Sequence, residues 1–210
     1  MDTTTRTAGL GLLAYGVGTP LAFMSIGSPG GDYSDSVVAS YIASGHRAAA
    51  FALAYLGAFA ALGLLAFARG MRHRLRSGGD LLWGLAVAGT AAGVAGWFLV
   101  GGVAVAFAEG GQPLAGVAHP LVYMVSEMSN LVAVCSSAFF VGAAALVVAA
   151  NAPLPGWLRI SSYIAGACGL LAAFFFPLFL FWLWAIILGA WTVATGARSS
   201  NQATAQRQLV

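Results

Sequence analysis

The stretch HPLVYMVSEMSNLVAVCSSAFFVGAAALVVAA, residues 119–150, decides how the chain is read. As a helix rising 1.5 Å per residue it crosses roughly 30 Å of hydrocarbon with room to spare. Its one carboxylate, Glu127, is embedded in an otherwise apolar run. An ionisable group in hydrocarbon costs roughly several kcal/mol unless it is neutral, paired or wetted, so Glu127 is the leading site candidate. Pro120 falls in the first turn, where a helix tolerates it. His119, Tyr123, Glu127 and Asn130 recur at offsets of four, four and three, which puts them on one helix face. Glu127 then lies roughly 12 Å along the axis from His119. Lipid cannot satisfy such a polar stripe, so it must face a bundle interior or a wet vestibule. Beyond Cys135 and Phe140 the same helix is almost wholly apolar, which favours a pocket open to one side over a continuous pore.

The rest of the chain is built for the same solvent. Of its residues 60 % are hydrophobic and only 7 % charged, with a mean hydropathy of +0.88, against about 25 % charged in soluble domains. Spans of the required length fall at about 8–28, 47–68, 81–108, 120–150, 158–176 and 178–197. The fold expected is therefore an all-α integral membrane protein of six transmembrane helices. The N-terminal apolar run shows no convincing cleavage site before Gly27 and reads as a retained first span. Gly16, Gly18 and Pro20 in that span predict a kink or close packing on a neighbour. Gly89 and Gly93 in the third have the small-xxx-small spacing of close crossings and suit a central helix. Between the first two spans, Asp35 to Ser44 is amphipathic and predicts a short interfacial helix laid over the bundle. Trp182 and Trp191 stand near opposite ends of the last span, as aromatic belts would place them, with Trp184 deeper. The polar tail after Ala197 reads as a flexible extension.

Charge sets the orientation. The net charge of +3 comes from nine arginines and no lysine, too small an excess for a nucleic-acid surface. Arg69, Arg72, Arg74 and Arg76 crowd the second loop, and the positive-inside rule puts them in the cytoplasm. With six spans both termini, Arg6, Arg159, Arg198 and Arg207 follow them there. Asp32, Asp35 and Glu109 fall outside, with Arg47 the one arginine on that side. The four clustered arginines serve topology, and can also contact anionic lipid headgroups at about 1 kcal/mol each.

An outer polar cluster of Asp32, Asp35, His46, Glu109 and His119 has side chains that can bind a divalent metal or relay protons. No HExxH, HxH or CxxC accompanies it, so no metal site is assigned, and no cofactor is identified. Nucleotide motifs of the GxGxxG and GxxxxGK[ST] kinds, in their strand-to-helix context, are absent. Cys135 and Cys168 lie inside apolar runs and read as buried thiols, not as a disulfide framework.

RTAGLGLLAYGVGTPLAFMSIG, residues 6–27, the Gly-Asp turn and amphipathic run that follow it, and PLPGWLRISSYIAGACGL, residues 153–170, resemble an uncharacterised family of actinobacterial six-helix integral membrane proteins. The resemblance implies the six-span fold and a bacterial cytoplasmic membrane. It carries over no catalytic residue.

The function expected is binding or transport of a small or lipidic molecule in an extracytoplasmic-side pocket. Glu127 supplies charge or a proton there, and Asn130, Tyr123 and His119 orient the guest. Three alternatives stand beside it: Glu127 fixing helix packing alone, a non-catalytic scaffold or partner-binding subunit that can form homo-oligomers, and an intramembrane enzyme pairing Glu127 with His119. Membrane lipids are the expected surroundings in every case.

Overall fold

Glycine and alanine at the helix contacts let the chain close into a ring. The computed structural model describes residues 3–25, 47–114, 119–174 and 178–207. Over these the protein is helical, without a strand. The helices are α1 (Thr3–Ser25), α2 (Arg47–Met71), α3 (Gly79–Leu114), α4 (His119–Asn151), α5 (Gly156–Leu170) and α6 (Leu178–Arg207). Each packs on the next in the chain, and α6 packs back on α1. The expected interfacial helix between α1 and α2 lies outside the described residues.

Five helices, α1 to α4 and α6, are long and apolar enough to cross a membrane. The fifth expected span, at 158–176, differs. Its helix, α5, has 15 residues, which is about 22 Å and short of the hydrocarbon thickness. It ends where Leu171 leaves helical geometry at φ −96° and ψ 13°, its N–H bonding the carbonyls of Ala167 and Gly169. A single 3-10 turn, Ala172–Phe174, follows. At the other end of the ring α6 continues to Arg207, beyond the span boundary expected at 197.

Lipid offers little hydrophobic drive between helices, so association depends on close packing of small residues. Gly11 of α1 meets Gly63 of α2 backbone to backbone, and Gly9 of α1 meets Gly189 of α6 in the same way. Gly142 of α4 lies against Gly169 of α5. Of the two readings for the first span, close packing is seen: Gly16 abuts Ala185 and Ile186, Gly18 abuts Ala60, and one helix runs through Pro20. Gly89 and Gly93 of α3 face Phe140, Val141 and Ser137 of α4, and Gly93 also meets Ala61 of α2. Their spacing thus serves packing within the chain. Outward, large apolar side chains stay exposed on every side, among them Phe59, Leu62, Ile160, Ile164, Leu180 and Leu183. A continuous apolar exterior of this kind needs a lipid surround.

Alternating helix direction sorts the charges. Arg6, Arg69, Arg72, Arg74, Arg76 and Arg159 share one end of the ring, hereafter the arginine end, and Glu127 lies toward the other. The α2–α3 loop is tied to the end of α4 there, Ser77 Oγ donating to Asn151 Oδ1 at 2.6 Å and Arg76 N–H to Asn151 O at 3.2 Å. Gly78 turns the loop at φ 77°, a left-handed conformation that suits glycine.

Candidate functional site

The buried interior is mainly apolar, with isolated hydroxyls toward both ends: Thr5 and Thr192 toward the arginines, Thr19 and Ser129 toward Glu127. On α1 the buried face is Thr5, Ala8, Leu12, Tyr15, Thr19 and Ala22, which recur at three- and four-residue steps. Gly11 and Gly18 flank it toward α2, and Gly9 and Gly16 toward α6, so the face between them points at the ring axis. On α4, Val134, Val141 and Val148 are buried at seven-residue steps. Glu127 stands seven residues before Val134 on that same line, and its side chain is half-buried.

Tyr15 closes the middle. Its hydroxyl reaches from α1 to α4, across the ring, and shares a hydrogen bond of 3.2 Å with Ser137 Oγ. Phe181 of α6 meets the Tyr15 ring edge-on at 6.2 Å, and Trp184 stacks on Phe181 at 5.9 Å. Trp184 is held in turn by Ser162 of α5, whose Oγ accepts the indole N–H at 2.9 Å. Trp97, also buried, packs against Gly57 about one turn beyond Ser137. Tyr15, Ser137, Phe181 and Trp184 make a floor beneath the glutamate half.

Above the floor, two buried polar atoms have no hydrogen-bond partner among the described residues: Thr19 Oγ1 and Trp182 Nε1. Their depths agree. Thr19 is one turn beyond Tyr15 toward the glutamate end, about 6 Å. Gly16 abuts Ala185 and Ile186, so Trp182, one turn earlier in the antiparallel α6, stands at the same level. Thr19 is unusual for a helical hydroxyl. Thr192, Thr195 and Ser162 each donate to a carbonyl four residues back, at 2.7, 2.9 and 2.7 Å. Trp182 also departs from expectation: it is 3 % exposed, packed on Phe23 and Phe179, and not in an interfacial belt. The α1–α6 contact encloses it because small residues bring those helices together. Trp157, by contrast, is 57 % exposed.

No family model, curated protein or solved structure matches the chain.

Of the residues singled out in the sequence, Glu127 is on the line of Val134, Val141 and Val148 and half-buried. Ser129 beside it is buried and donates to Ser126 O at 2.7 Å. His119, Tyr123, Asn130 and Glu109 lie on the helices, and the placements of their side chains are outside the described residues, as are Asp32, Asp35 and His46 altogether. Sequence reading missed Tyr15, Thr19, Ser137 and Trp182. The first two were within reach, since they share a face with Leu12 and Ala22 at helical spacing. Only the fold shows that Ser137 and Trp182 meet α1.

Proposed function

We propose that this protein binds, and in doing so can transport, a small or lipidic molecule in the half of its helix ring that holds Glu127. The observation that carries the reading is the pair of unpartnered buried atoms, Thr19 Oγ1 and Trp182 Nε1, at one depth between Glu127 and the Tyr15–Ser137 floor. A buried polar group without a hydrogen bond costs about 1–3 kcal/mol, and more where lipid excludes water. A guest or a bound water that accepts from the indole and pairs with the hydroxyl relieves that cost. Glu127 stands on the order of 9 Å nearer the open end, counted from its ten-residue offset to Ser137 against the four from Tyr15 to Thr19. That spacing suits a guest with an apolar body and a polar or cationic group at the carboxylate.

In this reading α5 with its following turn completes a sixth crossing. The arginine end faces the cytoplasm with both termini, in a bacterial cytoplasmic membrane, and the Glu127 pocket opens on the far side. The grouping of six arginines at one end supports that orientation. The resemblance of residues 6–27 and 153–170 to the actinobacterial six-helix family is consistent with it.

The test is native mass spectrometry of protein extracted from its own membrane in mild detergent, with a structure in lipid read for density beside Glu127. The wild type is expected to retain a low-mass guest that Glu127→Gln loses. An enclosed Glu127 without adjoining density, and equal spectra for both proteins, would sink the proposal.

A further inference from the structure

At the arginine end a cavity of about 520 Å³ opens between α1, α2 and α3, lined by Thr4, Thr7, Leu65, Ala66, Arg69, Gly70 and Trp83. A smaller one of about 300 Å³ shares Arg69 and Trp83 with it and adds Arg72 and His73. The two form one recess at the level where helix ends meet headgroups. Its cations are unequally engaged. Arg72 is paired with Asp80 at 2.5 Å. Arg69, in the last turn of α2, has no carboxylate partner among the described residues.

The recess also faces lipid. On α2, Gly63 and Gly70 turn toward α1, and Gly57 and Ala61 toward α3. Leu62, Leu65 and Arg69, at steps of three and four, form the face between those two contacts on the outside of the ring, with Ala66 at its α1 edge beside Gly11. Toward the membrane centre the same face continues through Leu62, Phe59 and Tyr55, which are 44 %, 66 % and 50 % exposed. An apolar track therefore leads from the hydrocarbon to a cationic recess walled by an interfacial tryptophan.

We infer that this recess is a specific site for the phosphate headgroup of an anionic phospholipid, with Arg69 as its principal ligand and the lipid's acyl chains along the Leu62–Phe59–Tyr55 track. Arginine's planar fork matches phosphate oxygens two at a time. Trp83 supplies the amphipathic wall that headgroup depth favours. The apolar track selects a lipid over a free anion, since inorganic phosphate leaves it unused. This site is separate from the one around Glu127 and stands or falls without it.

The experiment measures lipid retention by native mass spectrometry on the full chain, titrated separately with phosphatidylglycerol, phosphatidylcholine and inorganic phosphate. Phosphatidylglycerol is expected to be retained over phosphatidylcholine. Arg69→Gln is expected to weaken that retention about tenfold, while Arg76→Gln, which removes the same charge outside the recess, changes it less than about twofold. Leu65→Trp, which fills the recess without altering charge, should reduce retention as Arg69→Gln does, so the inference survives a folding failure of either variant. Equal losses from Arg69→Gln and Arg76→Gln would reduce the effect to diffuse surface charge and overturn the site. Retention of inorganic phosphate as strong as that of the lipid, or no preference between the two lipids, would overturn the lipid assignment.

Discussion

Tyr15 and Ser137, 122 residues apart, meet at 3.2 Å across the centre of the ring. Their helices are not neighbours in the ring, since α1 packs on α2 and α6, and α4 on α3 and α5. The contact is possible because Tyr15 is long enough to span the interior and because Gly93 of α3 leaves space beside Ser137. It separates the part of the interior toward the arginines from the part toward Glu127.

Removing either hydroxyl should cost the same modest amount. Hydrogen bonds between membrane helices average about 0.6 kcal/mol and reach about 1.7. Tyr15→Phe and Ser137→Ala are each expected to lower unfolding stability in detergent by about 0.5–1.5 kcal/mol. The double variant should lose no more than the larger single loss, because both report on one bond. Additive losses in the thermodynamic cycle would show that the hydroxyls do not act on each other.

Glycine substitutions should separate by location. A Cβ on Gly63 would run into the backbone of Gly11, so Gly63→Ala must push α1 and α2 apart, at an expected cost of about 2 kcal/mol or more. At Gly84 and Gly102 a Cβ would meet nothing within 4 Å. Alanine there should be neutral or stabilise by up to about 1 kcal/mol through helix propensity. Thermal unfolding of the three variants side by side checks the contrast.

What could be read without the fold follows from what lipid demands of a sequence. Length and apolarity fix a crossing helix almost alone, so the beginnings of α2, α4 and α6 at Arg47, His119 and Leu178 were legible to within a residue or two. The run from 158 to 176 passed the same test, yet its helix stops at Leu170. Hydropathy does not register a local turn such as that at Leu171. Glu127 was legible because charge in an apolar run is rare. The place of Thr19 on the buried face of α1 was legible too, but its missing hydrogen bond was not, because a threonine in a membrane helix ordinarily satisfies itself on its own backbone and only the folded chain shows that this one does not. Trp182 was misplaced for a related reason: its distance along α6 matches a belt position, whereas its burial depends on α1.

The Arg72–Asp80 ion pair should contribute little to stability despite its 2.5 Å distance. Its side chains are 44 % and 87 % exposed, and exposed pairs are worth about 0–1 kcal/mol. Asp80→Asn is expected to leave the unfolding midpoint within about 1 kcal/mol of the wild type. The same variant removes the counter-charge from Arg72 and should strengthen retention of phosphatidylglycerol. A large stability loss in low-salt detergent would show that Asp80 holds the α2–α3 loop.

Thr19→Val distinguishes a site from a packing residue. The substitution keeps the side chain's shape and deletes a hydroxyl that has no hydrogen-bond partner among the described residues, so folding loses no bond and sheds a desolvation cost. Stability should be unchanged or rise by about 1 kcal/mol. Thr192→Val makes the control, because its hydroxyl donates to Leu188 O at 2.7 Å and that bond disappears. If the half of the ring above Tyr15 holds a guest, Thr19→Val should lower its retention in native mass spectra while Thr192→Val leaves it intact. The combination of a more stable protein with a weaker hold on its guest is what a preorganised binding group predicts and a packing residue does not. A Thr19→Val protein with full retention would remove the hydroxyl from the site and leave Glu127 to account for binding alone.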